Sequence, residues 1–140
     1  MVRRPAEPRT IGRYEIHERI ASGGMATVFL GRLKGPVGFS RPVAIKRLHP
    51  AFTEEPELVT MLIDEARIAS RVLHPNVVSV LDVVTDDGEV FLVMEYVHGV
   101  SLSRLLKASN DPVPAAVAAS IVCGTLYGLH AVLTDEDVLR

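Results

Sequence analysis

The run Val43-Ala44-Ile45-Lys46 and, nineteen positions past its lysine, the run Met61-Leu62-Ile63-Asp64-Glu65-Ala66-Arg67 decide how this chain is read. The first is a short apolar segment, strand-like in composition, that ends on a cation. The second lies inside Glu57 to Leu73, where apolar residues recur at helical spacing. On that helix Glu65 shares a face with Leu58, Met61, Leu62, Ile68, Ala69 and Val72. A carboxylate on an apolar face is costly unless it is paired and hydrogen-bonded. Lys46 has the matching problem at the end of its strand, and each group relieves the other if the helix packs over the sheet. In the competing arrangement Glu65 leans to solvent and Lys46 snorkels to water. Upstream of both stands Ala21-Ser22-Gly23-Gly24-Met25-Ala26-Thr27-Val28. Glycines let a backbone come close to phosphate because no side chain intervenes. Taken alone, without Lys46 and Glu65, this segment favours a bare hairpin turn.

Working outward, Tyr14 to Ala21 and Thr27 to Arg32 read as an antiparallel pair around the glycine turn. Leu33 to Pro42, with Gly35, Pro36, Gly38 and Pro42, reads as a loop, and Val43 to Leu48 as the third strand. Pro56 suits the first position of the helix, and Glu54, Glu55 and Glu57 suit the positive end of its dipole. His74-Pro75-Asn76 ends it, since a residue before proline resists the helical region. Val77 to Val84 and Val90 to Tyr96 are rich in β-branched residues, and Asp87-Gly88 between them signals a hairpin. That makes five strands with one helix inserted after the third. A brief helix over Ser101 to Lys107 and a longer alanine-rich helix from about Ala115 to about Val132 follow. The charged end, Thr134 to Arg140, reads as frayed.

Forty-eight per cent of the 140 residues are hydrophobic and 23% are charged, which favours a folded domain over a disordered chain. Fifteen basic and seventeen acidic residues give a net charge of −2, which argues against a non-specific nucleic-acid binder. The single cysteine, Cys123, cannot form an internal disulfide and reads as a core filler; a reducing, cytoplasmic setting is expected. Met1 to Arg13 carries four arginines and two prolines and reads as a flexible lead-in rather than a secretion signal. Pro112 to Leu129 holds no charged residue and reaches the lower edge of a membrane span. Its prolines, glycines, Ser120 and Thr125 favour a buried helix of a soluble domain, with no membrane partner. The histidines have no metal-ligand spacing around them, and no metal ligand set is expected.

Gly23-Gly24-Met25, Val43-Ala44-Ile45-Lys46, Asp64-Glu65-Ala66, His74-Pro75-Asn76-Val77-Val78 and Leu92-Val93-Met94-Glu95-Tyr96-Val97 stand in a fixed order, followed by Gly99 and Leu102. From about Tyr14 to about Leu133 this series resembles the amino-terminal part of a protein kinase catalytic domain of the bacterial serine/threonine type. Against the pattern G-x-G-x-x-G-x-V, Ala21 stands where the first glycine belongs and Ala26 where the third does, while Val28 keeps its place. Ala21 is the larger departure, loosening phosphate contact if that position needs a positive φ.

The resemblance implies an α+β fold. A flexible segment, 1–13, precedes a kinase N-lobe, 14–97, with a five-stranded antiparallel sheet and one inserted helix. The remainder, 98–140, is the hinge exit and the truncated start of a C-lobe with two helices. It further implies that Lys46 contacts the α- and β-phosphates of ATP and that Glu65 holds Lys46. Gly23 and Gly24 cover the phosphates; Val28 and Ala44 pack on the adenine; Met94 is the gatekeeper. The backbones of Glu95 and Val97 meet the adenine edge, and Ser101 lies near a ribose contact. Ala69 and Val80 belong to a hydrophobic column behind the helix.

The chain contains neither H-R-D nor D-F-G, whose residues position the substrate hydroxyl and hold Mg2+ in a complete domain. The sequence therefore implies the ATP-binding portion of a serine/threonine kinase, inactive alone, with ATP as ligand and a protein substrate only in the complete domain. The alternative is a non-catalytic kinase-derived module. In either case the last helix lacks the elements it would pack against, and self-association or a partner through its apolar side is expected.

Overall fold

The computed structural model describes residues 9–134. Six strands form one antiparallel sheet: β1 (Arg9–Ile11), β2 (Tyr14–Ser22), β3 (Ala26–Lys34), β4 (Ser40–Leu48), β5 (Val80–Asp86) and β6 (Glu89–Glu95). Their order across the sheet is β1-β2-β3-β4-β6-β5. Helices α1 (Pro50–Thr53) and α2 (Pro56–Arg71) lie between β4 and β5; α3 (Leu102–Ala108) and α4 (Ala115–Thr134) follow β6. This is the expected mixed α+β architecture, with six strands rather than five.

The additional strand is β1, in a segment read from sequence as a flexible lead-in. Gly12, at φ +53, turns the chain so that Ile11 pairs with Tyr14 and Arg9 with Ile16. Three residues around one isoleucine are too few to show an alternating pattern, so nothing local announced the strand. What stabilises it is distant. Ile11 is fully buried, and Arg9 stacks on the Phe91 ring at 5.1 Å while pairing with Asp86 and Glu89. Residues 1–8 of the expected lead-in, and 135–140 of the expected frayed end, lie outside the described residues.

Register fixes which side chains share a face. Ile45 opposes Phe29 and Val93, and Val43 opposes Gly31 and Glu95. One face thus gathers Ile11, Tyr14, Ile16, Val43, Ile45, Phe91 and Val93 into a core. The sheet curls around it until its two edge strands meet. Tyr14 donates its hydroxyl to Asp82 at 2.8 Å, and Arg13 reaches the same carboxylate at 3.2 Å. Gly31 sits where β2 and β4 approach: a Cβ there would lie 3.0 Å from the Glu15 carbonyl oxygen and 2.9 Å from Ile45 Cγ1. The opposite face carries Leu48, Val90 and Leu92, on which α2 packs Leu62 and Ala66, with Val59, Ile63, Val80 and Met94 around them. The β5–β6 turn is the predicted hairpin: Asp87 and Gly88 both have positive φ, +48 and +77, which matches the twist of the paired strands.

The chain divides into two compact units. The sheet, α1 and α2 as far as Arg67 form one; Ile68–Ser79 and the residues from Val97 onward form the other. In the second unit α4 presents Gly124 and Gly128 to the His74-Pro75-Asn76-Val77 turn. A Cβ on Gly128 would lie 2.9 Å from the Asn76 carbonyl oxygen. His74 fills a helix-end role, accepting the Asn76 amide on Nδ1 at 3.1 Å.

Two expectations fail in this unit. α4 is not a buried helix: of its residues only Gly128 is buried, and Val122, Leu126, Tyr127, Leu129 and Leu133 are exposed. It is long and apolar enough to cross a membrane by length and composition. Cys123 is exposed rather than a core filler, because the side of α4 that packs is its glycine side. Apolar composition all round a helix does not say which side is covered.

Candidate functional site

The strand-and-helix pair from which the sequence reading starts meets in space. Lys46 Nζ donates to both carboxylate oxygens of Glu65, at 2.8 and 2.9 Å. Lys46 opposes Val28 on one side and Leu92 on the other, so its side chain leaves the face that carries α2. Leu48 and Ala44, two residues either way, share that face.

The pair is not buried as the helical face had suggested. The Glu65 side chain is 51% exposed and that of Lys46 24%. Sequence spacing grouped Glu65 with Leu58, Met61, Leu62, Ile68, Ala69 and Val72. The stripe that α2 packs runs instead through Val59, Leu62, Ile63 and Ala66. Met61 and Ile68 are exposed. With apolar residues on more than one side, periodicity alone could not choose the stripe. Glu65 ends at the rim of the packed stripe, where its carboxylate stays hydrated while it grips Lys46. A pair so placed adds little to stability.

The glycine turn closes the β2–β3 hairpin. The Gly23 amide donates to the Ala26 carbonyl at 2.8 Å. Around Gly24 a Cβ would meet nothing within 4 Å, so the backbone there is open to an approaching group. Ala21 lies within β2, paired with Val28, and is not among the positive-φ residues. Alanine therefore costs no backbone strain at that position, which removes the physical objection to it.

Ala44 is buried and opposes Leu30 and Met94; Met94 in turn opposes Val80. Val28, Ala44, Lys46 and Met94 therefore occupy one face of three neighbouring strands, and Glu95, beside Val43, ends β6. In the second unit, Val97 is exposed and its carbonyl accepts the Gly99 amide at 3.0 Å. Ser101 caps α3, its hydroxyl accepting the Arg104 amide at 3.3 Å. Ala69 is half-buried near the end of α2.

Sequence reasoning missed one contact at this site. His49, which follows β4 and precedes α1, turns its ring back to the glycine turn and lies 3.0 Å from Thr27 Oγ1 through Nε2. No sequence signal announced it: the strand register, with Thr27 opposite Arg47, sets His49 diagonally across from Thr27.

The family described as protein tyrosine and serine/threonine kinase matches residues 14–135. The chain is 37% identical over 122 residues to the tyrosine-protein kinase MasK of Myxococcus xanthus, covering 85% of this chain and 19% of that protein. It is 37% identical over 114 residues to the serine/threonine-protein kinase PrkC of Bacillus subtilis, covering 81% of this chain and 17% of that one. With the serine/threonine-protein kinase PkaB of Streptomyces coelicolor it shares 38% over 124 residues, 88% of this chain and 28% of the relative. Among solved structures, the PknI kinase domain of Mycobacterium tuberculosis superposes with a TM-score of 0.72 at 25% identity, covering 91% of this chain and 50% of that domain. The chain thus spans less than a third of the length of these relatives and half of the solved kinase domain. With the match to its order of strands, lysine and glutamate, this chain belongs to the protein tyrosine and serine/threonine kinase family, as the N-lobe and first part of the C-lobe of its catalytic domain.

Proposed function

We propose that this chain is the ATP-binding portion of a serine/threonine protein kinase, with Lys46 as its phosphate contact. The observation that carries this reading is the two-pronged grip of Glu65 on Lys46 Nζ at 2.8 and 2.9 Å. An ammonium group has three donors. Glu65 takes two, which fixes the direction of the third and leaves it for a phosphate oxygen. Gly23 and Gly24, in the turn that leads into β3, the strand paired with that of Lys46, offer backbone without side chains. Val28 and Ala44, on the same face as Lys46, supply apolar surface for a flat base, with Met94 behind them. The backbones of Glu95 and Val97 are read as adenine-edge partners and Ser101 as a ribose neighbour. ATP is the phosphoryl donor in the complete domain, and a protein hydroxyl is the acceptor.

Among the described residues no group of three or more His, Cys, Asp or Glu side chains is arranged to hold a metal ion. Nor does the sequence contain the aspartates that orient the acceptor. ATP binding by this chain is therefore weak. We place it in the cytoplasm, where ATP and a lone cysteine are both at home. The family match includes the whole of α4, which we read as a helix of the catalytic domain and not as a membrane span.

Calorimetric titration with ATP tests the site. A charge-assisted hydrogen bond contributes about 1.5–3 kcal/mol, so Lys46→Ala weakens binding by about ten- to a hundredfold. Equal affinity in the variant, with unchanged circular dichroism, overturns the assignment. A second reading, a non-catalytic interaction module, is favoured by one observation, the exposed apolar side of α4. It predicts self-association or capture of a partner through Leu126 and Tyr127 whether or not ATP is present.

A further inference from the structure

The glycine turn between β2 and β3 is held from the face of the sheet that the nucleotide reading leaves unused. Val28 and Lys46 oppose each other across β3 and β4, on the face that carries α2. Side chains alternate along a strand, so Thr27 and Arg47 leave the opposite face, and His49 leaves it with them. There His49 Nε2 lies 3.0 Å from Thr27 Oγ1, and Thr27 Oγ1 lies 3.5 Å from Ser22 Oγ. Ser22 and Thr27 are the last paired residues before the turn. The backbone joins in: the His49 amide donates to the Met25 carbonyl at 2.9 Å. One residue therefore holds the turn twice, by its ring at Thr27 and by its amide at Met25.

The ring is itself oriented. His49 precedes α1, yet its side chain makes no capping bond to that helix. It stacks on Phe52, with ring centroids 6.3 Å apart and planes inclined by 26°. The Phe52 amide returns to the His49 carbonyl at 2.9 Å, closing the first turn of α1. The amides of Leu58 and Val59 bond the Glu55 carbonyl, so α2 begins within a few residues of this contact. The segment from His49 to Glu55 thus attaches at one end to the glycine turn and at the other to the helix that carries Glu65.

We propose that His49 is a positioning residue: by bonding Thr27 and Met25 it holds the glycine turn in register with the Lys46–Glu65 pair. This rests on the nucleotide-binding reading above. It adds that the turn is fixed by a side chain on the face of the sheet opposite Lys46, the face that also carries Ile45 and Phe91. His49 touches no reacting atom. It limits the freedom of a turn that, with Gly23 and Gly24 at its centre, has little stiffness of its own.

The test uses the full 140-residue chain and two readouts. The first needs no nucleotide: hydrogen exchange of the Gly23 amide, bonded to Ala26, and of the amide at position 49, bonded to Met25. His49→Ala and Thr27→Val each accelerate these amides by about tenfold, the effect of losing one local hydrogen bond. The double variant goes no further, because both substitutions remove the same link. His49→Gln, which keeps a side-chain hydrogen-bonding group, restores most of the protection. The second readout is ATP affinity by calorimetry, which falls several-fold in the single variants and recovers in His49→Gln. Thr27→Val keeps the β-branched shape and serves if His49→Ala does not fold. Unchanged exchange in both single variants, additive effects in the double, or faster exchange with no loss of ATP affinity overturns the proposal. Should the wild-type chain bind no ATP at all, the nucleotide reading falls, and the exchange pattern alone decides whether His49 tethers the turn.

Discussion

At Lys46 and Glu65 two residue types placed nineteen apart in sequence come within hydrogen-bond reach, and the reason was legible: each is an anomaly where it stands. How exposed the pair would be was not legible. Exposure depends on which stripe of α2 faces the sheet, and the apolar residues of α2 allow more than one. The consequence is testable. A double-mutant cycle of Lys46→Ala and Glu65→Ala should give a stability coupling of no more than about 1 kcal/mol, as for solvent-exposed pairs, measured by urea denaturation. A coupling of several kcal/mol would mean a dry pair. Gly31 behaves in the opposite way. No sequence pattern marks it, yet a side chain there meets Ile45 and the Glu15 carbonyl. Gly31→Ala should destabilise by about 1–3 kcal/mol through overpacking, seen as a lower urea midpoint at unchanged slope.

Among elements, β2 to β6 and α2 follow from alternation, turn chemistry and a helix-breaking proline, all of them local. β1 does not, because its stabilising partners are on β5 and β6. Glu89 stands at the centre of that seam. Burial pushes its carboxyl upward, but hydrogen bonds from Arg47, at 2.8 Å through Nε, and from Arg9 outweigh burial and hold it below the ordinary value. A carboxyl depressed by folding stabilises the fold above its unfolded pKa and loses that contribution as pH falls. The wild-type melting temperature should therefore drop on acidification from about pH 5 to pH 3, the range in which carboxylates protonate. Glu89→Gln should melt lower at neutral pH and show a shallower acid slope. Equal slopes would remove Glu89 from the seam. In the second unit, Gly128→Ala tests how α4 is seated. Helix propensity favours alanine by about 1 kcal/mol. The Asn76 carbonyl at 2.9 Å opposes it, so we expect net destabilisation and faster amide exchange at Asn76 and Val77.

For the molecule as a whole, the exposed side of α4 and the missing catalytic motifs lead to one pair of outcomes. The 140-residue chain should transfer no phosphate from radiolabelled ATP to a generic protein substrate, since nothing in its sequence orients the acceptor hydroxyl. It should also associate with rising concentration in sedimentation, and Leu126→Glu with Tyr127→Glu should reduce that association. The sequence by itself determined the family, the succession of β2 to β6 with α2 inserted among them, and the partnership of Lys46 with Glu65. These reside in residue types at fixed spacing, where local periodicity and the cost of a misplaced charge speak directly. Only the tertiary structure decided that a sixth strand closes the sheet, that the Lys46–Glu65 pair stands at a hydrated rim, and that His49 reaches Thr27. Each of those depends on strand register and on which side of a helix is covered, and both are settled by contacts between segments far apart in the chain.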